Sequence, residues 1–295
     1  MLTHQRKAGS LADIASRFGS KRYIQITWLD DHNKTIFVSN PKCGCSAVKH
    51  FLAEHSDSFD VDKRNIHNRT PTEAQKLRLA VSSKLELSEF EIFTTVRHPV
   101  ERCVSAYVDK MSRNCSQRRE VNLLLGKTEH HIPDWEDFFS VLMTISPIQL
   151  NAHWRPQYLN LALGFVEYNK IFKIETESSL LLDYLNTRLK VDEQELPKKN
   201  VKSSLIGATK PKISNKQLKE LKKLYVIDYL KFSYLSWSDA ISLAPEWIKY
   251  KLSPLWFAHT PVRERTFSNL ITSLFKVTVG RVKALLSSRK SRKLD

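Results

Sequence analysis

The fold is decided by the stretch IFVSNPKCGCSAVKHFL at residues 36–52. It begins with an apolar run of β-favouring residues, which is typical of a central strand in a parallel sheet. Asn40 and Pro41 end this strand, Gly44 permits a backbone conformation closed to other residues, and Ser46 can cap the helix that follows. The stretch therefore predicts a strand, a tight loop and a helix in immediate succession.

The loop between this strand and helix is a candidate anion site. Such a loop directs backbone N–H groups and the positive end of a helix dipole at one spot, and Lys42 adds a full charge there. The spacing GxxxxGK[ST] of a P-loop is absent, because Lys42 precedes Gly44. Taken by itself, PKCGCS fits a phosphate loop and an ordinary strand-to-helix turn equally well.

A second stretch, EIFTTVRHPVERCVSAYVDKM at residues 91–111, repeats the pattern of strand, loop and helix. Arg97 ends the strand, Pro99 suits the first turn of the helix, and Ser105 lies further along it. Because parallel strands end at one edge of a sheet, Arg97 and Ser105 are expected beside the Lys42 loop. A kinase would have an acidic residue there to hold Mg²⁺, whereas an arginine suits a second, separate phosphate and a reaction without a metal.

These two stretches resemble the donor-binding signature of sulfotransferases that use 3′-phosphoadenosine 5′-phosphosulfate. Within that superfamily the chain is most similar to the carbohydrate sulfotransferases that include the chondroitin and dermatan 4-O-sulfotransferases. Three further stretches match in order: NAHWRPQY at 151–158, YNKIFKIET at 168–176 and LYVIDYLKFSY at 224–234. The resemblance implies an α/β fold with a P-loop-like parallel sheet flanked by helices, and in-line transfer of a sulfuryl group to a carbohydrate hydroxyl.

The resemblance also implies roles for individual residues. Lys42 would stabilise charge on the bridging oxygen of the donor, and Arg97 and Ser105 would hold its 3′-phosphate. His67 would take the proton of the acceptor hydroxyl, although a lone histidine in a polar stretch is otherwise a solvated loop residue. The 5′-phosphosulfate would be held by Lys42, Cys43, Gly44, Cys45, Ser46 and Ala47.

The NAHWRPQY stretch is a candidate acceptor site. His153 is the alternative base, Arg155 can pair with an acidic sugar, and Trp154 can stack on a pyranose face. Two other interpretations stay open, in which Trp154 belongs to the core and Arg155 makes a structural ion pair. Acceptor-side binding is favoured for His153 and Arg155. Glu175 is placed near the site by the resemblance, without a role.

A basic loop at residues 197–214 follows. Its Lys202, Lys210 and Lys212 either close over the 3′-phosphate, as a late basic loop does in many sulfotransferases, or lie on a solvated surface. Among the secondary-structure elements, we predict an edge strand at 23–28 and a helix that begins at the Thr70 cap. Further helices are predicted at 133–145, 176–189 and 216–234.

Composition limits the classes of partner. A chain of 295 residues, 41% of them hydrophobic, can bury one sizeable core, so we expect a domain at 23–236 with extensions at 1–22 and 237–295. The formal charge of +16 predicts anionic partners, and no nucleic-acid motif accompanies it. The alternatives to a sulfotransferase are a nucleotide-dependent kinase on a similar fold and a non-catalytic module that binds anionic glycans.

The C-terminal residues 241–295 carry eleven Lys or Arg against three Asp or Glu, half of the whole positive excess. Apolar residues there share one helical face, which suits a helix on an anionic membrane surface near a lipid-linked glycan. A helix packed on the domain and a disordered tail are equally open. With four cysteines and no apolar anchor in residues 1–22, we expect a reducing cytoplasm, as of a bacterium, with peripheral contact at the inner membrane face. The alternative is a Golgi lumen, if an anchor was removed.

Overall fold

A computed structural model describes residues 9–19, 23, 25–60, 66–67, 70–192, 195–197 and 210–243. All of them fall within one compact unit, Arg6–Glu246. The second unit, Met1–Gln5 with Trp247–Asp295, lies outside the described residues, as do the predicted amphipathic tail helix and Lys202. The predicted domain boundaries therefore stay predictions. Among the described residues, no helix combines the length and apolarity that crossing a membrane requires.

A four-stranded sheet in the order β1-β2-β3-β4 forms the centre of the unit. β2 pairs in parallel with β3, and β3 with β4, whereas the edge strand β1 runs antiparallel to β2. Every residue of β2 is buried, because helices cover both faces of the sheet. The strands are β1 Thr27–Asp30, β2 Thr35–Val38, β3 Glu91–Val96 and β4 Lys170–Lys173.

Alternation along the central strands divides the core into two layers. Ile36 and Val38 face a cluster that contains the first helix, whereas Phe37 faces the helix that follows β2. A third cluster lies among the later helices. The described helices are α1 Leu11–Phe18, α2 Cys45–His55, α3 Pro71–Ser82, α4 Pro99–Met111, α5 Ser116–Leu125, α6 Trp135–Thr144, α7 Gln157–Asn160, α8 Ser178–Leu189, α9 Asn215–Leu224, α10 Val226–Lys231 and α11 Trp237–Leu243.

Most predicted elements are present, and side chains cap three of the predicted helices, at Thr70, Asp134 and Ser214. The Thr70 hydroxyl accepts a hydrogen bond from the Glu73 amide at 3.3 Å, which confirms the cap of α3. The predicted strand at 23–28 is wrong in its first half, because residues 25 and 26 are helical and β1 begins at Thr27. Ser46 is not the cap of α2 either. Gly44 takes that position, without a side-chain cap bond from the described residues.

The predicted single helix at 216–234 is also wrong, because it is interrupted at Tyr225. The break turns the chain so that the Tyr225 hydroxyl donates to the Trp154 carbonyl at 2.6 Å. It also places Asp228 of α10 against the start of α7, where its carboxylate accepts from the amides of Gln157 at 2.7 Å and Tyr158 at 2.8 Å. A tertiary polar contact has overridden helical periodicity.

Arg102 joins three separate segments of the chain. Its side chain is fully buried on α4. The guanidinium donates to the carbonyls of Pro41 at 2.8 Å, Arg155 at 2.8 Å and Ala152 at 2.6 Å. Arg102 thereby ties the loop after β2 and the NAHWRPQY segment to α4, and it satisfies three carbonyl groups that have no strand partner there.

We expect the Arg102→Met variant to lose about 2–5 kcal/mol of unfolding free energy, because the three hydrogen bonds of a fully buried guanidinium are lost. Urea denaturation followed by circular dichroism measures this loss. The matched control is Arg78→Met on the exposed side of α3, for which we expect a change within about 0.5 kcal/mol. Equal denaturation midpoints for the two variants would contradict the role assigned to Arg102.

Candidate active site

The two predicted anion loops lie at the same edge of the sheet. β2 and β3 are parallel neighbours, with Val38 opposite Thr94, so the loop that carries Lys42 and the residue that ends β3, Arg97, start side by side. Glu175 follows β4 at this edge as well. The placement expected from the sequence is therefore present. We call this edge, where β2, β3 and β4 end, the carboxyl edge.

The loop after β2 turns sharply into α2. Lys42 and Gly44 both have left-handed backbone angles, with φ of 69° and 71°. A Cβ at Gly44 would also contact the Ile174 side chain at 3.4 Å, and the Thr95 hydroxyl holds the Cys43 carbonyl at 2.6 Å. Among the described residues no side chain caps α2, and its first turn contains no acidic residue, although the Ala47 amide donates to the Gly44 carbonyl at 3.0 Å. This geometry suits an anion at the start of α2.

Lys42 is held by a carboxylate that sequence reasoning missed. Its ammonium lies 3.1 Å from Asp109 at the end of α4, and the two side chains are 20% and 14% exposed. Asp109 also contacts Lys110 and Arg113, each at 3.1 Å. The spacing of Glu101, Ser105 and Asp109 on one helical face was the available signal.

The ionisation of this pair follows from its burial. Burial lowers the pKa of the Lys42 ammonium, and the Asp109 carboxylate opposes that shift. Burial alone would raise the pKa of Asp109, but the charges of Lys42 and Lys110 hold it below its usual value. With Arg113 added, three cations surround one carboxylate. Positive charge therefore remains in excess beside the start of α2.

His67 reaches the start of α2. Its Nε2 lies 3.0 Å from the Ser46 hydroxyl, although 21 residues separate them in the chain. The side chain is exposed. The structure thus brings the first candidate base into contact with the predicted 5′-phosphosulfate loop.

His153 lies close to the same charges in a half-buried position. Its Nδ1 is 2.8 Å from the Asn151 side-chain oxygen, so this nitrogen carries the hydrogen and Nε2 keeps its lone pair. Burial, with the charges of Lys110 and Arg102, lowers the pKa of His153 to about 3. The imidazole is therefore neutral at physiological pH and a weak proton acceptor.

The predicted stacking of a pyranose on Trp154 is wrong. The indole is 1% exposed and packs edge-on against Phe138, with 5.2 Å between ring centroids. It belongs to the helical core, which was the alternative interpretation. Arg155 is half-buried, and its Nε donates to the Leu150 carbonyl at 2.8 Å. Its role towards an acceptor stays a prediction.

Arg97 has an unsatisfied donor. Its terminal nitrogen lies 3.9 Å from the Glu101 carboxylate, but its Nε is buried and has no hydrogen-bond partner among the described residues. Ser105, half-buried, follows Glu101 by one turn of α4. A buried guanidinium donor without an acceptor fits an anion at this position.

The basic loop places a lysine near Arg97. Lys210 lies 4.0 Å from the same Glu101 carboxylate and is 81% exposed, and Lys212 is exposed as well.

Glu175 accepts hydrogen bonds from the His98 amide and from the Tyr234 hydroxyl, the latter at 3.3 Å. It therefore anchors the beginning of α4 at the carboxyl edge.

The buried side chain of Gln157 connects the two loops, and one of its contacts is Cys43 in the first loop. The Gln157 side chain bonds to Asn40, to Cys43 and to the backbone of Arg97. Cys43 is fully buried, and burial raises the pKa of its thiol to about 12, so it stays protonated. Sequence reasoning assigned Cys43 to the donor loop and overlooked Gln157, whose one signal was its place in the NAHWRPQY match.

Comparison with known proteins agrees with this geometry. The model of the sulfotransferase family matches residues 25–235, more than half of the chain. A search of curated proteins and a search of solved structures each gave no significant match. The matched region contains the whole sheet, both loops at the carboxyl edge and the buried residues that join them. The chain therefore belongs to the sulfotransferase family.

Proposed function

We propose that the protein transfers a sulfuryl group from 3′-phosphoadenosine 5′-phosphosulfate to a hydroxyl of a carbohydrate. The observation that carries this proposal is the pairing of two cationic loops at one sheet edge. Lys42 stands at the first and Arg97 at the second. Two separate anion sites at neighbouring strands suit a donor with phosphate groups at both its 5′ and 3′ positions.

The residues present fit this donor. The first turn of α2 has no side-chain cap among the described residues, and the excess positive charge around Lys42 suits a phosphosulfate. The Nε of Arg97, which has no partner among the described residues, suits the 3′-phosphate together with Ser105 on the helix that follows. Cys43 would contribute through its backbone alone, because its thiol is buried. When bound, the donor supplies an activated sulfuryl group.

Residues of the protein itself stabilise the leaving group and accept the proton of the acceptor. Lys42 stabilises negative charge that develops on the leaving oxygen, and Asp109 keeps its ammonium in place at 3.1 Å. His67 accepts the proton of the acceptor hydroxyl, and its contact with Ser46 holds it at the loop. His153 is neutral and offers the lone pair of Nε2, so it is the second candidate for this role.

The acceptor is proposed to be a polysaccharide or glycolipid carbohydrate, bound beside His153 and Arg155. Support comes from the half-buried Arg155 and from the net positive charge of Lys42, Lys110 and Arg113 around Asp109. A cytoplasmic protein with its basic C-terminal segment on an anionic membrane would meet lipid-linked acceptors, and this arrangement is likewise a proposal.

Calorimetric titration tests the donor. We expect adenosine 3′,5′-bisphosphate to bind without added metal, and Arg97→Ala to weaken this binding at least about tenfold, because a charge-assisted bond to the 3′-phosphate is lost. Arg78→Ala on α3 is the control and should bind as wild type does. Binding of ATP with Mg²⁺ alone would move the protein to the kinase class. Bisphosphate binding with no turnover on any acceptor would leave a binding module.

The pH profile of turnover identifies the base. We expect His67→Ala to lower kcat by about 10²–10⁴-fold with unsulfated chondroitin or dermatan as acceptor. A base acts when it is deprotonated, so wild-type kcat should rise with pH, and His67→Ala should lose that rise. Because burial and neighbouring charges lower the pKa of His153 to about 3, we expect His153 to add no rise above that pH.

The control for this experiment is His32→Ala, in the exposed turn before β2 at the opposite edge of the sheet. It should keep wild-type turnover and the same profile. If His67→Ala turns over normally while His153→Ala does not, the base is His153 and the assignment of His67 is wrong.

A further inference from the structure

We propose that Gln157 is a positioning residue that fixes the spacing between the Lys42 loop and Arg97, so that one bisphosphate engages both at once. This inference rests on the proposed donor. Gln157 is the first residue of α7, and its side chain is fully buried. It therefore acts on the two loops without reaching the bound ligand.

The contacts with the Lys42 loop come first. The Gln157 side-chain oxygen accepts a hydrogen bond from the Asn40 amide at 3.0 Å and from the Cys43 thiol at 3.1 Å. These two residues flank Pro41 and Lys42. The thiol stays a donor because burial raises the pKa of Cys43 to about 12. Gln157 thereby holds the loop on both sides of the turn that presents Lys42.

The contacts with Arg97 involve its backbone. The Arg97 amide donates to the Gln157 side-chain oxygen at 3.1 Å, and the Gln157 side-chain nitrogen donates to the Arg97 carbonyl at 2.7 Å. These two bonds pair the backbone of Arg97, the residue after β3, as a neighbouring strand would, but the partner is a side chain. This pairing uses only the backbone of Arg97, so the guanidinium, 3.9 Å from Glu101 and with no partner for its Nε among the described residues, stays available to an anion.

Gln157 is itself held from the far side. Its backbone amide donates to Asp228 at 2.7 Å, and the next amide, of Tyr158, donates to the other oxygen at 2.8 Å. Asp228 is fully buried on α10. Asn160 adds a bond to the Asn40 side chain at 3.3 Å. The distance between the two loops is thus set by their contacts with α7, which α10 holds in place.

Fixing the distance between the two loops changes the affinity for a ligand with two phosphate groups more than the affinity for a ligand with one. When the loops are held at the right separation, binding of one phosphate places the second at its site with little further loss of entropy. If Gln157 is replaced, Lys42 and Arg97 remain and can each still bind a phosphate. The advantage of the bisphosphate over either monophosphate should then fall.

The experiment compares three ligands by calorimetry: adenosine 3′,5′-bisphosphate, adenosine 5′-monophosphate and adenosine 3′-monophosphate. For Gln157→Met, which keeps the side-chain length without its hydrogen bonds, we expect the bisphosphate to bind about tenfold or more weakly. The monophosphates should change by less than about threefold. Gln75→Met, exposed on α3, is the matched control and should leave all three affinities unchanged.

Two more variants guard against misfolding. Gln157→Asn keeps the amide but shortens its reach, and Asp228→Asn leaves Gln157 intact but puts a donor in place of one of the two oxygens that accept from the amides of Gln157 and Tyr158. Both should reduce the bisphosphate advantage in the same direction. Equal loss for all three ligands, or an unchanged bisphosphate affinity, would overturn the proposal and leave Gln157 a structural residue. If the wild-type protein binds no bisphosphate, the proposed donor fails instead, and the role of Gln157 with it.

Discussion

The parallel pairing of β2 with β3 is the constraint on which the rest of the structure depends. These strands contain only four and six residues, yet their register sets where each following loop begins. Side chains of β3 extend the pairing beyond the ladder, since Thr94 donates to the Val38 carbonyl at 2.7 Å and Thr95 to that of Cys43 at 2.6 Å. The first loop is therefore shaped by the neighbouring strand as much as by its own sequence.

Beyond the ends of the strands, buried side chains supply the hydrogen bonds that a neighbouring strand would otherwise make to the backbone. Arg102 satisfies carbonyls from three residues, and Gln157 satisfies both backbone groups of Arg97. Such groups are costly to bury unless every bond is made, so they specify one arrangement of the loops. The helical region is consequently joined to the sheet through polar contacts at the place where the site is built.

The cations of the site already have partners before any ligand is present. Lys42 pairs with Asp109 and Arg97 with Glu101, and both carboxylates belong to one face of α4. Because these partners restrict the cations, less side-chain entropy remains to be lost when an anion binds. Helix α4 thus supports both halves of the site, with Ser105 between its two acidic residues.

The sequence by itself determined the strand, loop and helix of both stretches and the edge at which Lys42 and Arg97 meet, because apolar strands, Gly44 and Pro99 act locally. The resemblance of its motifs to sulfotransferases also agrees with the family match at the level of the family. Only the tertiary structure decided the partners of these residues. It buried Trp154, placed Asp109 on Lys42 and His67 on Ser46, and interrupted the last predicted helix at Tyr225. Those contacts join residues far apart in the chain, and neither periodicity nor capping contains information about long-range partners.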